Sequence, residues 1–161
     1  MSHNLVERAY EKYAWVIFTV IGLLTFVGGV PHMLGNNGSP EIVESFVGMT
    51  VSEFKASNPN FYGVYDYYFR GGGLSDMAFG FFVIFISATL FRKGDKLGWY
   101  VLWSVPAFFL GHAAIALNFG EPTSSLTPFL ALFLTLSLLG LLLPIRRFFP
   151  KETHTRASEI K

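Results

Sequence analysis

Four stretches of the chain are almost entirely apolar, and the polar residues lie mainly between them. The apolar stretches cover residues 13–31, 74–91, 97–117 and 126–145. Each is between 18 and 21 residues long, the length that a helix needs to cross roughly 30 Å of hydrocarbon. None has the polar stripe of a soluble surface helix. The pattern predicts an all-α integral membrane protein, a bundle of four transmembrane helices that forms a single membrane domain over residues 1–161.

The connection between the first and second spans, residues 32–73, is the long one and contains its own helix starts. Serine or threonine at an N-cap, and proline at the first helical position, are typical of such starts. We therefore predict a short helical, extracytoplasmic loop, whose last segment is rich in tyrosine and can run straight into the second span. The three starts are Ser39-Pro40, a capping box from Thr50 to Glu53, and Asn58-Pro59.

Composition supports a membrane location, because 14% of the residues are charged against roughly 25% in soluble domains. The basic residues also predict an orientation. If both termini and the turn 91–98 lie on one side, that side has ten lysines and arginines, and the other has Lys55 and Arg70. Positively charged segments stay in the cytoplasm, so we expect both termini, including the tail 146–161, to be cytoplasmic. The scattered basic residues suit contact with anionic lipid, and we predict no nucleic-acid binding.

Three consecutive glycines stand at the start of the second span, in the sequence RGGGLSD. They lack the Gly-Lys-Ser/Thr ending of a phosphate loop and the G-x-G-x-x-G fingerprint of a dinucleotide site. The chain has no cysteine, which excludes disulfides and thiol redox chemistry. We therefore interpret the glycines as helix-packing residues.

Small residues recur at helical spacing in three of the four spans. Such stripes let helix backbones approach closely in lipid, so they predict the seams of a compact bundle. The stripes are Gly73, Gly80 and Ser87 in the second span, Gly22, Thr25 and Gly29 in the first, and Ser104, Ala107, Gly111, Ala114 and Asn118 in the third.

Asp76 is the one charged residue inside the four apolar stretches, and a carboxylate in a span usually faces the bundle interior with a partner. Counting residues from the helix ends places several polar side chains at a similar depth, in the outer half. The set comprises His32, Asp66, Arg70, Asp76, His112, Asn118 and Glu121.

This polar set allows both a structural and a chemical interpretation. Asp66 and Arg70 are four residues apart and can simply pair. Pro106 is expected to kink the third span and to free a carbonyl, and a lone histidine such as His112 often bonds to a neighbouring helix. Alternatively, imidazole and carboxylate groups suit a transition metal. The weak candidates for metal ligands are His32, Asp76, His112 and Glu121, and we predict no other cofactor.

Several segments resemble a known group of proteins. They are YAWVIF in the first span, SNP before the tyrosine-rich segment, RGGGLSDMAFG at the second span, and FRKGDKLGWYVLWSVP through the turn into the third. Together they cover about half of the chain, and they are similar to small four-span membrane proteins of prokaryotes that have no assigned function. The resemblance implies the fold and no activity.

We expect a small multi-pass protein of the cell membrane that works without catalysis. In this hypothesis it is an accessory subunit that packs against a protein partner, against itself as a homo-oligomer, or against a lipid-like ligand. The alternative is a membrane enzyme or redox subunit that uses a metal or proton-transfer site in the outer half of the bundle. A transporter or channel fits less well, since four spans with almost no charge at mid-depth make a poor pathway.

Overall fold

The computed structural model describes residues 3–35, 40–119 and 123–150. Every regular element in these residues is a helix, and none of them is in a strand, which confirms the predicted all-α class. In chain order the helices are α1 (His3–Met33), α2 (Pro40–Val47), α3 (Val51–Ser57), α4 (Pro59–Thr89), a 3₁₀ turn (Phe91–Lys93), α5 (Lys96–Leu102), α6 (Ser104–Phe119), α7 (Thr123–Leu142) and α8 (Ile145–Phe148).

Three helical segments of the described chain are long and apolar enough to cross a membrane. They are Lys12–Met33, Pro59–Lys93 and Lys96–Asn118. The apolar part of α7 in the described residues, Pro128–Leu142, is shorter. The structure therefore supports a helical membrane protein with three candidate spans, and it does not establish the fourth span that the sequence predicts.

Helix α4 is continuous for 31 residues, so the tyrosine-rich segment and the second span form one element. Pro59 is its first residue and Asn58 its N-cap, although the Asn58 side chain makes no capping hydrogen bond. A backbone contact places the end of α1 level with Gly73, because a Cβ on Gly73 would lie 2.5 Å from the backbone nitrogen of Met33. Residues 59–72 therefore extend about 21 Å past that end.

Helix α3 contacts this extension of α4, and α2 contacts α3. The predicted capping box is present at the start of α3, where the Glu53 backbone N–H donates to the Thr50 hydroxyl and the Thr50 backbone N–H donates to the Glu53 carboxylate at 2.8 Å. The carboxylate also accepts a bond from the Thr50 hydroxyl. These bonds stabilise the charged form, so they hold the pKa of Glu53 below its usual value.

The third predicted span is interrupted after α5, as the position of Pro106 predicts. Proline has no N–H to offer to the carbonyl four residues earlier, which is that of Leu102. At the break, the Trp103 backbone N–H donates to the Tyr100 carbonyl at 3.2 Å. The Ser104 hydroxyl oxygen is buried there with no hydrogen-bond partner. The break separates α5 from α6, whose residues Val105 and Phe109 are still buried.

The buried core lies at one end of the molecule, which we call the inner end. The opposite end, where Met33 and Gly73 lie, is called the outer end. The Phe91 ring is 5.2 Å from that of Phe18 and 4.7 Å from that of Phe148, measured between ring centroids. The Trp99 indole N–H also donates to the Leu141 carbonyl at 3.0 Å. The buried hydrophobic cluster comprises Ala14, Phe18, Ile21, Val83, Ile86, Phe91, Leu102, Val105, Phe109, Leu141 and Phe148.

Candidate functional site

Helices α1 and α4 pack against each other through glycine backbones. A Cβ on Gly80 would lie 2.5 Å from the carbonyl oxygen of Gly22, and one on Gly29 would lie 2.5 Å from that of Gly73. Such distances are far below van der Waals contact, so only a residue without a side chain fits these positions. Because Gly22 opposes Gly80 and Gly29 opposes Gly73, the helices are antiparallel. We call these four residues the glycine seam.

The seam continues toward the inner end through a pair of hydroxyl groups. Ser87, which the sequence places on the same stripe, is fully buried. Its Oγ lies 2.9 Å from the Thr19 Oγ1 on α1, and the two hydroxyls share a hydrogen bond. Small residues of both helices are thus in contact over about four turns.

The small residues of α6 have a different environment. Ala107, Gly111, Ala114 and Asn118 are exposed, and a Cβ added to Gly111 would meet no atom within 4 Å. This stripe therefore forms no seam with any helix of the described chain, contrary to the expectation of a third intramolecular seam. Its position on an open face of an apolar helix leaves room for a molecule outside the described chain.

Asp76 and His112 lie one helical turn outward from the contact between α4 and α6. That contact is a stacked pair of rings, Phe79 and Phe108, with centroids 4.2 Å apart and planes 15° apart. Asp76 precedes Phe79 by three residues on α4, and His112 follows Phe108 by four residues on α6. Because the helices run in opposite directions, both steps lead toward the outer end. The Asp76 carboxylate is partly buried and lies within electrostatic range of His112 and of His32.

The tautomer of neutral His112 follows from its hydrogen bond. Its Nδ1 lies 3.1 Å from the carbonyl oxygen of Phe108. A carbonyl can only accept, so Nδ1 donates and the lone pair of the neutral ring is on Nε2. The ring also packs against that of Phe108, at 4.3 Å between centroids. The lone pair on Nε2 can therefore accept a proton, and the Asp76 carboxylate lies within electrostatic range of this ring.

The other members of the polar set each make contacts of their own. The His32 ring packs 4.8 Å from that of Phe69, and its Cβ lies against Gly73. Arg70 donates to Asp66 at 2.8 Å along α4, as their spacing predicts, and its guanidinium lies over Gly35. Asn118 is exposed near the end of α6.

A metal site has little support from the described side chains. Among these residues there is no group of three histidine, aspartate or glutamate side chains that could hold an ion. Glu121, the fourth ligand candidate from the sequence, lies outside the described residues. Of the predicted cluster, the structure brings Asp76 into electrostatic range of the two histidines and pairs Asp66 with Arg70.

A chain of aromatic rings at the outer end was not foreseen from the sequence. It connects α3 to α1 along one face of α4, with centroid distances of 6.0 Å from Phe54 to Tyr62, 6.1 Å from Tyr62 to Tyr65, and 5.7 Å from Tyr65 to Phe69. Phe69 then contacts His32. The signal was available, because residues 62, 65 and 69 have the three- and four-residue spacing of one helix face.

The comparisons with known proteins give no relative of this chain. No protein-family model matches it, and neither a curated protein nor a solved structure does. The resemblance to small four-span prokaryotic membrane proteins therefore stays a prediction, and the function must be argued from the geometry alone.

Proposed function

We propose that this protein is a non-catalytic, multi-pass membrane protein that works by self-association within the bilayer through the exposed stripe of α6. The observation that carries the proposal is the open space beside Gly111, with Ala107 and Ala114 exposed on either side. In lipid, large apolar side chains gain little by leaving the tails for a neighbouring helix, whereas small residues allow close backbone packing and are enriched at helix interfaces.

A second copy of the chain is the occupant that this stripe fits best. The stripe contains no charged side chain, so two copies related by a twofold axis bring no like charges together. Each copy would place its own small residues against those of the other, as Gly22 and Gly80 do within one chain. Asn118, at the outer end of the stripe, adds a side-chain amide that can both donate and accept across such an axis.

We expect Gly111→Leu to weaken self-association. Overpacking a close contact costs roughly 1–3 kcal/mol, which corresponds to an increase of about 5- to 150-fold in the dimer dissociation constant. Analytical ultracentrifugation over a range of protein-to-detergent ratios measures this constant.

The matched control is Gly28→Leu on α1, where an added Cβ also meets nothing within 4 Å but no small-residue stripe predicts a contact. It should leave the dissociation constant unchanged. A wild-type protein that stays monomeric at every ratio, or equal weakening by both variants, would contradict the proposal.

We further propose that α7 is the fourth span and that both termini are cytoplasmic. Helix α7 has 20 residues, and an even number of spans brings both termini to one side. The support for the cytoplasmic side is the excess of ten basic residues over two, which favours the inner end as the cytoplasmic one.

Single cysteines test this topology without interference, since the chain has none of its own. Ala56 in α3 and Leu97 in α5 are both exposed and uncharged. In intact cells Ala56→Cys should react with an impermeant thiol reagent, and Leu97→Cys should react only after the membrane is permeabilised. The opposite labelling pattern would reverse the orientation.

A further inference from the structure

Two segments that are distant in sequence bring basic side chains together at the inner end. The 3₁₀ turn and the start of α5 supply Arg92, Lys93 and Lys96, and α8 supplies Arg146 and Arg147. We call these five residues the inner basic cluster. The acidic residue within these segments is Asp95, whose carboxylate caps α5 by accepting the Leu97 backbone N–H at 2.8 Å. The segments therefore have a formal net charge of +4.

Arg147 holds the two segments in a fixed relation. Its Nη2 donates to the Arg92 carbonyl oxygen. Its side chain also packs on Gly94, where a Cβ would lie 3.2 Å from the Arg147 Nε. Gly94 has φ of 80°, a left-handed conformation that favours glycine. The side chain of Arg147 is thus structural, whereas Arg92, Lys93 and Arg146 are exposed around it.

Aromatic and apolar side chains surround the cluster at the same level. The guanidinium of Arg92 lies 4.9 Å from the centroid of the Trp15 ring, and the Lys96 Nζ lies 5.4 Å from that of Phe149. Leu97 and Leu143 are more than half exposed beside them. Tryptophan rings next to cations are typical of the layer where headgroups meet hydrocarbon. Exposed leucines at this level favour a ligand with an acyl chain over a free phosphate ion.

We propose that the inner basic cluster binds the phosphate of an anionic phospholipid, with Arg92 and Arg146 as its principal contacts and Arg147 as the support that sets their spacing. The inference rests on the membrane location in the proposed function but is independent of self-association. Basic side chains next to a membrane each strengthen binding to anionic lipid about fivefold.

The tryptophans provide a local readout, because all three of them, Trp15, Trp99 and Trp103, lie at the inner end. Phospholipids with brominated acyl chains quench tryptophan fluorescence on contact. Titration of the detergent-solubilised full chain with brominated phosphatidylglycerol and, separately, with brominated phosphatidylcholine gives the ratio of the two affinities. We expect the wild-type protein to prefer phosphatidylglycerol by at least tenfold. The double variant Arg92→Gln/Arg146→Gln should bring that ratio close to unity, because two basic side chains at about fivefold each account for a preference of this size.

The charge-matched control is Lys12→Gln/Lys55→Gln, which removes two cations outside the cluster. This control should keep most of the preference for phosphatidylglycerol. If it loses as much of that preference as the double variant in the cluster, net charge rather than this site determines the preference, and the proposal is overturned. A wild-type ratio near unity would also overturn it. The ratio of the two affinities is taken within each variant, so the phosphatidylcholine titration corrects for any change that a substitution causes in Trp15 fluorescence. The protein's detergent extraction from the membrane fraction tests its membrane location separately, so failure of the proposed function is distinguishable from failure of this site.

Discussion

Replacement of Gly80 by leucine is expected to separate α1 from α4 and to cause a large loss of stability. The added Cβ alone would lie 2.5 Å from the carbonyl oxygen of Gly22 and from the backbone nitrogen of Phe26. Backbone atoms cannot rotate away as a side chain can, so one helix must move along the whole seam. Overpacking typically costs roughly 1–3 kcal/mol, and we expect Gly80→Leu to exceed that range.

Unfolding in detergent, followed by circular dichroism on heating, measures this effect. Gly28→Leu adds the same side chain to α1 at a position with open space, so its midpoint should match that of the wild type. Leu74→Ala removes an exposed side chain from α4 and should also be mild. If Leu74→Ala is harmful while Gly80→Leu is tolerated, the two helices do not meet at the glycine seam.

Phe91→Ala is expected to destabilise the inner end by about 3–5 kcal/mol, the usual cost of removing a buried phenylalanine. Phe91 is 1% exposed, and its ring contacts Phe18 of α1 and Phe148 of α8. Helices α1 and α8 hold these neighbouring rings in place, so the cavity cannot close easily. The free energy of unfolding, obtained by titration with sodium dodecyl sulfate from a mild detergent, measures the loss.

Phe81→Ala is the control for this change. Phe81 lies ten residues earlier, on α4, but its side chain is 63% exposed, so truncation leaves no cavity. We expect less than about 1 kcal/mol for it. Equal losses at the two positions would mean that Phe91 is not the centre of the core.

That the first two spans each carry a close-packing face was predictable because its signal is local. Gly73 and Gly80 are seven residues apart, as are Gly22 and Gly29, and this spacing places each pair on one face of its helix. The start of α4 at Pro59 was predictable for the same reason, since a proline at the first helical position is a local preference. No further proline occurs between Pro59 and the end of the second span, so no missing backbone N–H interrupts the helix that covers both, although Gly71, Gly72 and Gly73 lie within it.

The surroundings of α6 were not predictable from its own residues. A stripe of small side chains indicates that another helix can pack closely against it, but it does not identify that helix. The break near Pro106 separates α6 from α5, and the sequence does not show which helices α6 then contacts. For Asp76 and His112, residue counting gave similar depths, whereas their approach depends on the ring stack of Phe79 and Phe108. That contact sets how α6 is rotated about its own axis, and no sequence pattern predicts this rotation.

The continuous helix α4 also has a mechanical consequence. Its inner part is held against α1 at the glycine seam, while residues 59–72 project beyond the end of α1 and contact α3 through the Phe54 and Tyr62 rings. Because α4 is one stiff helix that is held at the seam, a tilt at the seam moves its far end. A tilt of ~10° at Gly73 would displace the Pro59 end by about 4 Å, given an arm of about 21 Å. A small rearrangement between the first two spans would therefore be transmitted, and enlarged, to the α2–α3 segment.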